Sequence, residues 1–407
     1  MSSGARKLEN GMNKFRCLNG SHSAAELAET IRLTSPHSAR ILSDILDSDG
    51  DWSSIENRKP KSGWDQVSLA HFRAALAYRL ADYPTAYIHE LDCYHAFLRV
   101  FLDAPRWCIP VLYAVSSDLS HVAKLADAQV SGNNRVEEAI RAINQGFSLC
   151  MTDREPSLSL SRKWGTYHMA NLLFALYLRQ RAYNLCGSMI RAIRASELPA
   201  LDTFPMSDQV TFRFYRGMLA FRSEDYSAAK HDLLFAFQSC HRDAYENKRR
   251  ILTYLVPLML IDGQMPRISL LQEFPVIAGL YSGLISAAKS GNLGLFDRLL
   301  AEKQDQLAFL GVFLAIERVR KIALRQLFYK VYLIDNRSSR IALARFRRAL
   351  EFALSTSVED AEVEAILADM VFSGYLKGYL AHDHGLAVLS KQMPFPPISS
   401  VVPPNGS

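Results

Sequence analysis

The chain has 407 residues, of which 49% are apolar, with 47 Lys and Arg against 41 Asp and Glu and a net charge of +6. A chain of this length and composition can bury a core in two or three folding units, or in one long repeat array, which excludes disorder throughout. The longest uncharged runs in its periodic part are 15 residues, at 164–178 and 274–288, so no membrane insertion is expected. The first 30 residues lack the apolar stretch of a secretory signal.

The charge is concentrated in one stretch. The window 317–351 holds ten basic and three acidic residues, a net charge of +7, and leaves the rest of the chain at −1. Such a block indicates a local anionic partner, or else a solvated helical face rich in Arg and Lys. The ten cations are Arg318, Arg320, Lys321, Arg325, Lys330, Arg337, Arg340, Arg345, Arg347 and Arg348.

Residues 1–66 read as a variable, partly disordered region with one short helix at 24–33 and a turn-rich stretch at 47–65. The periodicity then predicts N-terminal helical repeats over 67–205. Their helices are expected at 67–83, 87–102, 110–126, 135–150, 163–179 and 182–195, with strand signals nearly absent. Helices joined by short turns favour an α-solenoid.

Residues 206–306 continue the helical repeats. The segment 209–240 resembles a tetratricopeptide unit, in which Gly217 would let the second helix approach closely and Asp225 falls at the turn. A plain amphipathic hairpin with no ligand stays open as an alternative. Further helices are expected at 247–260, 275–290 and 292–303.

The pattern changes in residues 307–393. Helices are expected over 311–333 and 341–354, followed by a third from Ser357, where Ser357 and Asp360 approximate a capping box. Two short apolar runs flank the turn Asp383-His384-Gly385. Three helices followed by a hairpin predict a winged-helix subdomain, and residues 394–407 read as an extended tail. The fold class is therefore all-α: a right-handed α-solenoid of tetratricopeptide-like pairs with a C-terminal winged helix.

Several motifs accompany this order of elements. The first is W-x2-P-x2-Y-x4-D-L, built from Trp107, Pro110, Tyr113, Asp118 and Leu119. Others are L-C-x3-I-R-A-I from Leu185 and the terminal run from Lys377 to Pro396. In these stretches the chain resembles the PCI family, and within it the PCI subunit of the TREX-2 mRNA-export complex. It departs at Gln326, where the family usually has Asn, and residues 1–66 do not align.

The resemblance implies a non-enzymatic scaffold or adaptor in the nucleus, at the nuclear pore. Its implied partners are a GANP-type scaffold subunit, a small acidic Dss-type subunit, and RNA with DNA as a further ligand. Two rivals stay open: a signalosome-associated, splicing-linked PCI subunit, and a purely structural lid-type subunit. The candidate partner interface is Val388, Leu389 and Phe395.

The expected nucleic-acid surface contacts phosphates without reading sequence. The helix from Ser357 is an unsuitable reader, because Glu359, Asp360, Glu362 and Glu364 at its start would repel phosphates. The binding residues assigned to the surface are Arg318, Lys321, Arg325, Arg337, Arg340, Arg345, Arg348, Lys377 and Lys391.

Catalysis and metal binding are not expected. The sequence has no GxGxxG, P-loop, G-x-S-x-G or H-E-x-x-H motif, so no catalytic residue and no cofactor is assigned. His382 and His384 have a spacing that can bind a metal, but we interpret them as solvated residues of the hairpin. No two of the six cysteines lie closer than 15 residues, which excludes a CxxC site and favours buried free thiols.

Overall fold

The computed structural model describes residues 24–36, 62–104, 106–130 and 134–401, and these divide into two compact units between Tyr215 and Arg216. The described residues are mainly helical, with one small sheet near the C-terminus, so the predicted all-α class with a winged helix is confirmed. No helix in the described ranges is long and apolar enough to span a membrane.

Among the described residues of the first unit, a short helix precedes six longer ones, and each of the six packs against the next along the chain. The helices are α1 (Ala24–Ile31), α2 (Gly63–Arg79), α3 (Tyr83–Asp103), α4 (Ile109–Gln129), α5 (Arg135–Met151), α6 (Thr166–Arg179) and α7 (Tyr183–Ala195). Pro84 stands in the first turn of α3, where its missing N–H costs nothing, so this helix begins earlier than the expected residue 87.

The helix α8 (Met206–Arg222) crosses the division between the units, and the second unit continues the helical pattern. Its helices are α9 (Tyr226–Ser239), α10 (Tyr245–Ile261), α11 (Ile268–Glu273), α12 (Pro275–Ser290), α13 (Leu293–Glu302) and α14 (Gln304–Leu310). The predicted role of Gly217 is confirmed: an added Cβ would lie 2.9 Å from Leu233 Cγ.

One turn geometry recurs between consecutive helices. A single left-handed residue closes the first helix, and the next residue's N–H bonds to the carbonyl five positions earlier. The left-handed positions are Ala81, Arg181, Glu224 and Gly291. After three of them an Asp or Asn caps the next helix, as Asp225 does by accepting from the Ala228 N–H. The repeated turn gives the helical pairs their short connections.

The winged helix follows in the predicted order, with one strand that the sequence reading missed. Its elements are α15 (Phe313–Ile334), β1 (Arg340–Ala342), α16 (Leu343–Leu354), α17 (Asp360–Phe372), β2 (Gly378–Ala381) and β3 (Leu386–Leu389). The sheet is antiparallel in the order β1-β3-β2, with Arg340 opposite Val388 and Gly378 opposite Leu389. Ile341, expected to begin a helix, is fully buried in β1.

Two further local expectations were tested by the structure. The prediction of a capping box at Ser357 was wrong, because α17 begins after Glu359, whose side chain makes no capping hydrogen bond. The cysteine expectation holds for the described residues: Cys93, Cys108, Cys150, Cys186 and Cys240 are buried and free, while Cys17 lies outside them.

A pair of glycines, Gly279 within α12 and Gly291 directly after its last residue, tests the packing of the second unit. Gly291 has φ +65°, and an added Cβ would lie 2.7 Å from the Leu327 amide nitrogen on α15; at Gly279 nothing lies within 4 Å. We expect Gly291→Ala to lower the free energy of unfolding by about 2–4 kcal/mol through strain and overpacking. Gly279→Ala should raise it by about 0.5–1 kcal/mol. Urea unfolding measures both, and equal effects would contradict the packing described.

Candidate nucleic-acid interface

The ten cations of the basic block lie on α15, on the turn that follows it, on β1 and on α16. The apolar stripe of each helix faces the core: Leu343, Phe346 and Leu350 are buried on α16, which leaves Arg345 and Arg348 exposed. Phe346 meets Phe328 of α15 at 5.0 Å between ring centroids. Core packing between α15 and α16 therefore fixes which cations can reach solvent.

Half of the block is engaged in ion pairs within the second unit. Arg320 binds Asp297 bidentately at 2.7 and 2.8 Å, and this hydrogen bonding raises the pKa of its guanidinium. The other pairs are Arg318–Glu224, Lys321–Asp369 at 2.8 Å, Arg345–Asp335 at 2.7 Å and Arg347–Asp360 at 2.9 Å. A cation already neutralised by a carboxylate offers a phosphate less than a lone cation does. Arg318, Lys321 and Arg345 are therefore weaker phosphate ligands than the sequence suggested.

The predicted exposure of Arg325 was wrong. The sequence placed it on an exposed face with Arg318 and Lys321, but the residue is only 8% exposed. Its Nη2 donates to the carbonyls of Phe395 at 3.2 Å and Pro396 at 2.7 Å. Burial lowers the pKa of the guanidinium, and the Phe395 ring lies 5.7 Å from its carbon. Arg325 holds the returning C-terminal segment and does not contact solvent-borne phosphate.

Four cations belong to the segments at or next to the end of the sheet away from the Asp383–Gly385 turn. Arg340 begins β1, opposite Val388 near the end of β3. Lys377 immediately precedes β2, and its carbonyl accepts from the Ser390 N–H. Lys391 directly follows Ser390, and Arg337 comes three residues before Arg340. We call Arg337, Arg340, Lys377 and Lys391 the sheet-end cluster.

The sheet-end cluster differs from the rest of the block in its electrostatics. All four side chains are exposed, and no acidic side chain of the described residues forms an ion pair with them. Lys330 on α15 and Arg348 on α16 are likewise exposed and lack such a pair within the described ranges. Tyr329 and Tyr332 lie against Phe395, whose neighbour Pro394 accepts from the Lys377 N–H at 2.8 Å. Lone cations beside partly exposed aromatic rings suit a nucleic-acid strand.

The predicted partner interface also needs correction. Leu389 is 4% exposed and Phe395 9%, so both belong to this chain's own core, while Val388 is half-buried in the central strand. Several large apolar side chains of the second unit do reach solvent, among them Phe352 at 90% and Phe372 at 80% exposure on the winged helix. Sequence reasoning missed these two because it looked for the interface on the wing.

The exposed face of α17 has a composition that helical spacing could have revealed. Ala361, Ala365, Ala368 and Phe372 follow i, i+4, i+7 and i+11 and are all exposed, opposite the buried Val363, Leu367 and Met370. Acidic residues surround the start of this helix, as predicted, although Asp360 pairs with Arg347 and Glu364 with His382. The face suits another protein better than it suits phosphate.

The described ranges contain no metal-binding cluster. No three His, Cys, Asp or Glu side chains there approach closely enough to hold a metal ion. The His382 ring is exposed, and its Nδ1 lies within hydrogen-bond distance of Glu364 Oε2, at 2.8 Å.

Comparison with known proteins is consistent with this architecture. The PCI domain family matches residues 296–391. The chain is 34% identical over 391 residues to a protein CSN12 homologue of Mycosarcoma maydis, covering 84% of this chain and 86% of the relative. It is 33% identical over 346 residues to PCI domain-containing protein 2 of Xenopus laevis, covering 83% and 86%. A protein CSN12 homologue of Schizosaccharomyces pombe is 35% identical over 359 residues, covering 83% and 84%.

The buried role of Arg325 can be tested against a solvent-exposed neighbour. Arg325→Met keeps side-chain bulk but leaves two carbonyls without their charged donor, so we expect the free energy of unfolding to fall by about 2–4 kcal/mol. Lys330→Met on the same helix should change it by less than about 0.5 kcal/mol. Urea unfolding of the two variants decides the matter, and an equally small effect at Arg325 would contradict its structural role.

Proposed function

The chain belongs to the family of PCI-domain proteins named CSN12 homologue and PCI domain-containing protein 2, and on that premise we propose that it is a non-enzymatic scaffold subunit of a nuclear mRNA-export complex. In this role it pairs its PCI region with a larger scaffold and offers a basic surface to RNA. The observation that carries the proposal is the sheet-end cluster, whose four cations stand without acidic partners among the described residues.

Binding at this cluster would draw on phosphate neutralisation and the release of counterions. The cluster offers side-chain donors at the end of a sheet and no helix aimed at base edges, so sequence specificity should be low. Tyr329, which is 36% exposed, adds a ring on which an unpaired base can stack. Single-stranded RNA is therefore the favoured ligand, and DNA is a weaker one.

Duplex reading through α17 is disfavoured by charge. A recognition helix presents its first turns to the major groove. Here those turns carry Glu359, Asp360 and Glu362, all exposed. Their negative charge would meet the phosphates that flank the groove. Nucleic acid is therefore placed at the sheet end, and the α17 surface is left for protein.

The protein partners proposed are a GANP-type scaffold and a small acidic Dss-type subunit. The exposed apolar face of α17 ends at Phe372, and Phe352 is exposed on the neighbouring α16. These side chains could form the desolvated centre of an interface. This surface replaces Leu389 and Phe395 in the proposal. Residence in the nucleus near the pore follows from the same partnership.

A second candidate function is favoured by the names of several relatives. Proteins named CSN12 homologue include those of Mycosarcoma maydis and Schizosaccharomyces pombe, which supports a signalosome-associated or splicing-linked PCI subunit. The two candidates share the fold and the basic surface. They differ in the scaffold bound, so partner identity separates them.

The RNA-binding proposal predicts unequal effects from two triple variants of equal charge change. Changing Arg337, Arg340 and Lys391 to Gln should weaken binding to single-stranded RNA at about 100 mM salt by tenfold or more. It should also flatten the log-log salt slope by about 2, since each phosphate contact contributes about 0.7. The measurement is fluorescence anisotropy over a salt series with the purified complex.

The matched control changes Arg318, Lys321 and Arg345 to Gln, which removes the same three charges from ion-paired positions. For this control, the log-log salt slope of RNA binding should change by less than half as much as in the first triple variant. Equal slopes for the two variants would show that net charge alone governs binding and would contradict the assignment to the sheet-end cluster.

The partner proposal predicts which proteins accompany the chain. Affinity purification of the tagged protein at its natural level should recover a GANP-type scaffold with a small acidic subunit. Phe372→Asp should lose that scaffold, because a charge in a desolvated interface costs several kcal/mol, while Tyr379→Asp on β2 should keep it. Recovery of signalosome or splicing factors without that scaffold would favour the second candidate instead.

A further inference from the structure

An aromatic pocket opens at the start of α4, in the first unit. Its volume is about 570 Å³. Its walls include Trp107, Pro110, Tyr113, Trp164 and Pro205. This volume lies within the range of pockets that hold small ligands or the side chains of a peptide.

Three of these residues belong to the motif that carries the family resemblance. Trp107, Pro110 and Tyr113 follow i, i+3 and i+6, so they share one side of the helix start, and each is half-buried. The motif's other two members stabilise the fold: Leu119 is fully buried, and Asp118 accepts a hydrogen bond from the Leu33 N–H at 2.9 Å. Trp107 stacks on Trp64 at 6.3 Å and Tyr113 on His168 at 3.7 Å between ring centroids, and both rings also line the pocket.

Two polar groups on the rings that line the pocket are already engaged. The Tyr113 hydroxyl donates to the Trp164 carbonyl at 3.2 Å, and Trp164 Nε1 donates to the Leu158 carbonyl at 2.6 Å. The Arg106 guanidinium lies 4.4 Å from the Trp164 ring centroid. With these donors engaged, the pocket suits apolar side chains of a peptide better than a sugar or a phosphorylated metabolite.

The path of the chain brings a specific peptide to this place. Ala24, the first residue of α1, stands on the pocket wall. The helix is held on α4 by the fully buried Leu27 and Ile31, and the bond from Leu33 to Asp118 fixes the following turn. The 23 residues before Ala24 therefore enter the described fold at the edge of the pocket.

We propose that the pocket binds this preceding segment of the chain through Phe15 and Leu18. Leu18 lies six positions before Ala24 and Phe15 nine, so extended chain of about 20–30 Å is available to reach the pocket floor. The intervening residues 19–23 are polar or glycine and form a short tether. A short tether gives its segment an effective concentration on the order of millimolar, which favours occupation even by two modest anchors.

Fluorine NMR of the full chain labelled with 5-fluorotryptophan tests the proposal. The chain has four tryptophans, and the variants Trp107→Phe and Trp164→Phe identify the two pocket resonances. The double variant Phe15→Ser, Leu18→Ser should shift both resonances by exposing the rings to water. The matched control Asn19→Ser, His22→Ser changes the same number of residues closer to the pocket and should leave both unmoved.

A synthetic peptide of residues 10–23, added to the double variant, should restore the original shifts in a saturable way, and the same peptide with serine at both anchors should not. Unchanged pocket resonances in the double variant would overturn the proposal. A second result would also overturn it. If an added proline-rich peptide shifted the pocket resonances as strongly in the unaltered chain as in the double variant, the pocket would be open to outside segments in both.

Discussion

The guanidinium of Arg325 and the two carbonyls it binds organise the C-terminal half of the winged helix. The bonds to Phe395 and Pro396 draw the segment after the wing back onto α15. Pro394 then accepts from the Lys377 N–H, which ties the start of β2 to the same segment. Because the Phe395 ring fills the space beside Tyr329 and Tyr332, cations and aromatic rings from distant parts of the chain share one surface.

Ion pairing then divides a uniform-looking basic block into two kinds of surface. Arg318, Lys321 and Arg345 are balanced by carboxylates on other elements, and they contribute more to internal order than to an external field. The sheet-end cluster keeps its charge because the strands that carry it bring no acid with them. The acidic start of α17 sits elsewhere in the subdomain, so phosphate and protein would bind at different faces.

The helices and the winged-helix order could be predicted because local signals suffice: the helix at 275–290 was predicted to the residue. β1 could not, since Arg340–Ala342 is a strand only through its pairing with β3, some 45 residues later. The exposed position of Arg348 followed from the apolar stripe of α16. The burial of Arg325 did not, because helical spacing shows which residues share a face, and a segment 70 residues away covers that face. Ion pairs such as Arg318–Glu224 likewise join residues far apart in sequence.

Ultraviolet crosslinking of single-stranded RNA to the purified complex, with mass spectrometry of the crosslinked peptides, tests the central claim most directly. Since the claim is that unpaired cations at the sheet end hold RNA, crosslinks should fall on peptides containing Tyr329, Arg337 and Arg340, and on those spanning Lys377 to Lys391. Crosslinks confined to the Arg318–Lys321 stretch of α15, or to α17, would contradict it.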